Sequence, residues 1–84
     1  MQAPDWLAKH GGALQPGYQS FVTVVTLGGV PQYRLEVRPA GSTYACSVVQ
    51  AVNGRRVDDA TGSYPNATAA VAGGLDQLRA ALGW

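Results

Sequence analysis

The 84-residue sequence is short of the side chains on which the chemistry of small proteins usually depends. Cys46 is its single cysteine, which excludes an intramolecular disulfide and any cysteine-based metal cage. His10 is its single histidine, so a histidine-supported zinc site has no second ligand of that type. Charge is also scarce. Charged residues make up 13% of the chain and the formal net charge is +1. That balance supplies no long-range field toward nucleic acid or acidic substrates, and it confines any cationic surface to a local patch. Long apolar runs are missing too. No stretch approaches the roughly 18 apolar residues of a membrane helix. The opening "MQAPDWLAKHGG" lacks the apolar segment of a secretory signal. The expectation is a cytoplasmic protein without membrane association. On that reading the "NAT" at Asn66 to Thr68 is a chance match to a glycosylation acceptor.

Enough remains to build one fold. Apolar residues make up 46% of the chain, which suits a packed domain and argues against disorder. The length suits one small domain, residues 1–84, with a thin core. In the N-terminal segment, 1–17, Pro4 and Asp5 suit the start of a short helix and Gly11 its end, with Trp6 and Leu7 as anchors. Residues 18–60 read as sheet. "YQSFVTVVTL" at 18–27 is rich in β-branched and aromatic residues. Gly28-Gly29 offers a two-residue hairpin turn into a second strand at 31–38. "PAGS" at 39–42 leads to a third strand at 43–52, and Asn53-Gly54 turns toward a short charged edge strand, "RRVDD". Residues 66–82 read as a helix capped by Asn66. Val71, Leu75, Leu78 and Leu82 form its apolar stripe, and Gly83 stops it so that Trp84 folds back. Gly73 and Gly74 each cost this helix about 1 kcal/mol relative to alanine, which predicts a close approach to the sheet. The fold class is α+β: an antiparallel meander of three or four strands with the C-terminal helix on one face.

Turn lengths assign the faces. A four-residue "PAGS" loop pairs Val37 with Tyr44, Leu35 with Cys46 and Tyr33 with Val48. A two-residue turn at Gly28-Gly29 sets Val24 against Tyr33 and Val22 against Leu35. These residues form the expected core, since a one-residue slip would turn a whole strand over. The opposite face then combines Phe21, Val25, Arg34, Arg38, Val49 and Arg56 over a floor of small residues, and these six are the candidate interaction face. Arginine and aromatics are enriched at protein interfaces. The same arginines could contact phosphates. Against that, Glu36 lies between Arg34 and Arg38, the pattern of a cross-strand salt network on a solvated face.

From Tyr33 onward, "YRLEVRPAGSTYACSVV", then "NGRRV" and "GSYPNATAAVAGGL", resembles the plant ethylene-response-factor type of DNA-binding domain and its integrase relatives. The likeness covers about half of the chain. It lies in element order and in Tyr33, Arg34, Arg38, Gly41, Gly54, Arg56, Gly62 and Ala69-Ala70. It implies a three-stranded sheet that enters the major groove. The chain departs from that pattern in having Tyr44 after the first turn and Thr, Ser, Gln or Val at several positions where basic residues are expected. The helix–strand–strand–strand–helix order is also similar to that of double-stranded-RNA-binding domains. Those carry a lysine cluster at the start of the last helix, where this chain reads "YPNATAAV".

Enzymatic chemistry is not expected. His10 stands beside glycines in a loop. Adjacent aspartates, Asp58 and Asp59, project to opposite faces of a strand. Cys46 faces the core, where a thiol is inert. Glycines 73 and 74 lie within the helix and form no phosphate loop. The sequence therefore predicts a non-enzymatic binding or interaction module, without cofactor or metal, whose partner is a protein or a second copy of the chain. The alternative is a nucleic acid held by Arg34, Arg38 and Arg56.

Overall fold

A computed structural model of the chain describes residues 3–17, 21–57 and 62–84. Pro4 and Asp5 open a single-turn helix, α1 (Asp5–Ala8). Leu7 is completely buried and Trp6 packs beside it, so this short element is anchored as its sequence suggests. A tight turn at Gly11, in the left-handed region at φ 76°, leads directly into β1 (Gly12–Pro16). Gly12 must be glycine, because a Cβ there would run into the Leu7 side chain.

Three longer strands follow: β2 (Val22–Leu27), β3 (Val30–Ala40) and β4 (Thr43–Gln50). The sheet order is β1-β2-β3-β4, an antiparallel meander. The fourth strand among the described residues is thus β1 at the N-terminal edge, and the described part of "RRVDD" is not one of the four. Residues 55–57 are joined to β4 by a bridge between Val49 and Arg56, with Gln50 N–H donating to Arg55 C=O and Val57 N–H donating to Val48 C=O, both 2.8 Å. Asp58 and Asp59, and Tyr18 to Ser20 of the expected first strand, lie outside the described residues.

Two registers differ from expectation. At the second hairpin Ala40 pairs with Thr43, so the loop is the two residues Gly41-Ser42, with Gly41 at φ 66°. Val37 therefore meets Cys46 and Leu35 meets Val48. The slip is two residues, an even number, so each side chain keeps its expected face. The first hairpin behaves otherwise. Leu27 pairs with Val30 across Gly28-Gly29 as expected, but Thr26 faces Pro31 while Val25 faces Tyr33. Gln32 is left as an extra residue, a β-bulge. Beyond it β2 is turned over. Val25 points into the core at 0% exposure, and Val22 and Val24 lie on the other face, opposite Glu36 and Arg34.

The last element is α2 (Ala67–Leu82). The Asn66 side chain accepts the Ala69 N–H at 2.8 Å, an N-cap in the expected place. At the other end Gly83, φ 73°, donates to Ala80 C=O and Trp84 donates to Arg79 C=O. This paired closure satisfies two terminal carbonyls and turns Trp84 back against the core. Ala70, Gly74, Leu75 and Leu78 are the buried helix positions. They pack with Leu7, Val25, Leu35, Val37, Cys46 and Val48 into one core. The glycine pair has two separate causes. A Cβ at Gly74 would lie 2.6 Å from Cys46 Sγ, so α2 sits directly on β4. A Cβ at Gly73 would strike the ring of Tyr64, whose backbone pairs in both directions with Tyr44 at the outer edge of β4. Among the described residues, no helix is long and apolar enough to cross a membrane.

Candidate functional site

Both helices contribute to the core on one side of the sheet, and the sheet's other side carries four of the six expected interface residues. Period-two alternation and the pairings set Gln15, Val24, Arg34, Val49 and Arg56 in one row across the strands. A second row holds Val22, Glu36 and Ser47, and a third holds Arg38 and Ala45. Neighbours in a row stand about 5 Å apart. Arg34 and Arg56 therefore flank Val49 across the sheet, while Arg34, Glu36 and Arg38 follow one another along β3.

The other two residues belong elsewhere. Val25 is a core residue, because the bulge at Gln32 reverses the alternation of β2. Phe21 is 56% exposed and continues the β2 ladder through its carbonyl, which accepts the Val37 N–H. Its spacing from Thr23 and Val25 assigns it to the helix side, at the end of the sheet. Val22 and Val24 take over the apolar role on the open face.

This face is organised by its own polar contacts. Arg34 Nε lies 3.5 Å from Glu36 Oε2, an ion pair along one strand between half-buried side chains. The Nε atom itself is buried, so the Arg34 stem lies against the sheet rather than extending into solvent. Arg38 donates to the Ser47 hydroxyl, on the neighbouring strand and one row away. Ser47 and Val49 are about 95% covered even though both helices pack on the other side. The small floor anticipated from the sequence is thus present, and it is roofed in part by arginine side chains. Among the described residues the charged side chains of this face are Arg34, Arg38, Arg56 and Glu36.

A second constellation was not apparent from the sequence. Trp6, His10 and Trp84 meet where α1 faces the end of α2. The His10 and Trp84 rings stack at 3.9 Å between centroids and 11° between planes. Trp6 meets Trp84 edge-on at 6.3 Å, and the Arg79 guanidinium lies 5.8 Å from the centre of the Trp6 ring. These residues, with Asp5 and Lys9, line a cleft of about 520 Å³. His10 is therefore part of an aromatic stack rather than a free loop residue. The signal available beforehand was the return of Trp84 after Gly83, which did not say which side chains it would meet.

Among the described residues no three His, Cys, Asp or Glu side chains come together as a metal site. Cys46 is a buried thiol beneath α2, in no disulfide, as its strand position implied. No protein-family model, curated protein or solved structure matches the chain.

Proposed function

We propose that the protein is a non-enzymatic interaction module that docks a protein partner on the open face of its sheet, with a second copy of the chain as the simplest partner. The observation that carries this reading is the charge order along β3, where Glu36 stands between Arg34 and Arg38 on the face opposite both helices. A two-fold axis near Glu36 would set the acid of each copy against an arginine of the other, and such self-complementarity is what an isologous interface requires. Val24, Ala45 and the arginine stems supply the apolar contact. Arg38 and Arg56, exposed at the margin, supply the polar rim. The reading includes no cofactor.

Sedimentation velocity over a wide concentration range tests it. The expected result is reversible dimerisation that Val24→Glu abolishes and Arg38→Glu weakens about tenfold or more, a loss of at least ~1.4 kcal/mol. A wild-type chain that stays monomeric throughout, or a dimer indifferent to both substitutions, refutes it.

One observation favours a nucleic-acid partner as the second reading, namely the gathering of Arg34, Arg38 and Arg56 on this face, against Glu36 among the described residues. Anisotropy with mixed-sequence DNA and RNA at low salt separates the two. Binding that falls steeply with salt and disappears when Arg34, Arg38 and Arg56 are all alanine supports nucleic acid. Binding that is absent, or survives those changes, removes it.

A further inference from the structure

The geometry points to a second site, the Trp6–His10–Trp84 cleft, as a binding site for a planar aromatic anion: an aromatic ring that bears a carboxylate or phosphate group. Three features select this class. The first is shape. His10 is exposed and already stacked on Trp84, so a third flat ring can extend the stack from the imidazole's outer face. The second is charge. Lys9 and Arg79 both line the same cleft, with the Asp5 carboxylate beside them, so an anionic substituent has two cationic side chains to meet. The third is prior occupancy. The aromatic face of Trp6 that would otherwise attract a cation has the Arg79 guanidinium over it. A quaternary ammonium would therefore have to displace Arg79 or share the cleft with two like charges. For an anion, Arg79, held over Trp6, offers a planar fork suited to carboxylate or phosphate oxygens.

The cleft volume of about 520 Å³ lies in the range of small-ligand sites and accommodates a ring with its anionic substituent. Its walls come from opposite ends of the chain, α1 and the closure of α2, and both are fixed by the core. Leu7 is fully buried immediately after Trp6, and the Trp84 N–H is tied to Arg79 C=O. The aromatic platform is thus held in place before any ligand arrives, which lowers the ordering cost of binding. The proposal is independent of the open sheet face.

The test uses a property of the sequence. Trp6 and Trp84 are the only two tryptophans, so all tryptophan emission of the intact chain comes from this cleft. The full chain is titrated with adenosine 5′-monophosphate, benzoate, adenosine, inorganic phosphate and choline, with excitation at the red edge of tryptophan absorption. The expected result is saturable quenching by adenosine monophosphate, by benzoate or by both. Adenosine and phosphate should bind at least about tenfold more weakly, and choline should give no saturable change. The nucleotide and benzoate arms distinguish the two sources of the same chemistry. A Lys9→Gln, Arg79→Gln variant should lose the response about tenfold or more while keeping the far-UV circular dichroism of the wild type. If that variant unfolds, Lys9→Glu alone, at an exposed position beside α1, should still weaken binding severalfold. The proposal is overturned if neither aromatic anion gives a saturable change, if phosphate or adenosine alone matches them, if choline binds more tightly, or if folded charge variants bind as the wild type does.

Discussion

Replacing Gly74 with alanine should change sign with the residue at position 46. In the wild-type chain the new methyl would sit 2.6 Å from Cys46 Sγ, well inside contact distance, at a place where Cys46 is 6% exposed and flanked by the core. Overpacking of this kind costs about 1–3 kcal/mol. Removing a mid-helix glycine returns about 1 kcal/mol. Gly74→Ala should therefore destabilise the protein by about 0–2 kcal/mol. In a Cys46→Ala background the sulfur is absent. The nearest atoms are then the Cβ of residue 46 at 3.4 Å and Leu35 Cδ2 at 3.5 Å, at the near limit of ordinary contact, so the methyl fills space left by the thiol. There Gly74→Ala should stabilise by about 1 kcal/mol. The coupling between the two sites is then about 1–3 kcal/mol. Urea unfolding of the four chains, followed by far-UV circular dichroism, measures all of these terms from midpoint shifts at constant slope. If Gly74→Ala has the same effect in both backgrounds to within about 0.5 kcal/mol, the direct seating of α2 on β4 is not the reason for the glycine.

Further measurements address the register and the cap. Val25→Ala, which empties a fully buried site, should cost about 2 kcal/mol or more, whereas Val24→Ala on the open face should cost well under half of that, and equal costs in urea melts would contradict the bulge at Gln32. Asn66→Ala should lower stability by about 1 kcal/mol, with Asn66→Asp near neutral, since either Asn or Asp can accept the Ala69 N–H; a neutral alanine variant would refute the capping role.

Which parts of this fold were legible in the sequence follows from how local their causes are. The α2 helix was fully readable, because Asn66, the stripe through Leu75 and Leu78, and Gly83 all act within a few turns of one another. The β4 faces survived a wrong loop length because the error was even. The faces of β2 did not, because one inserted residue, Gln32, reverses them and nothing in "GGVPQYR" marks it. The strand β1 was missed for a related reason. "GALQP", between Gly11 and Gly17, has low strand propensity, and its extended form comes from pairing with β2 and from Leu14 packing beside Val25. Conversely, "RRVDD" has a strand-like position after Asn53-Gly54 but forms only a bridge within its described part. Four of six face residues stood in place, since β3, β4 and Arg56 keep their parity. The aromatic cleft was invisible for a different reason: Trp6 and Trp84 are brought together only by the completed fold.

The bulge at Gln32 has a consequence for how the chain reaches its native state. Across "VTVVT", residues 22–26, valine and threonine occur on both sides of the strand, so hydrophobic patterning scarcely distinguishes one facing from its reverse. The unbulged hairpin, with Val24 opposite Tyr33, is a competing arrangement of similar local chemistry and an identical Gly28-Gly29 turn. It constitutes a local source of frustration on the folding landscape, in a segment where many sequences would leave no ambiguity. The native choice is selected by partners that arrive from elsewhere: Leu14 from one flank, and Leu7 and α2 from above Val25. Commitment of this hairpin to one side is thus a collective decision, taken when the two ends of the chain close over it.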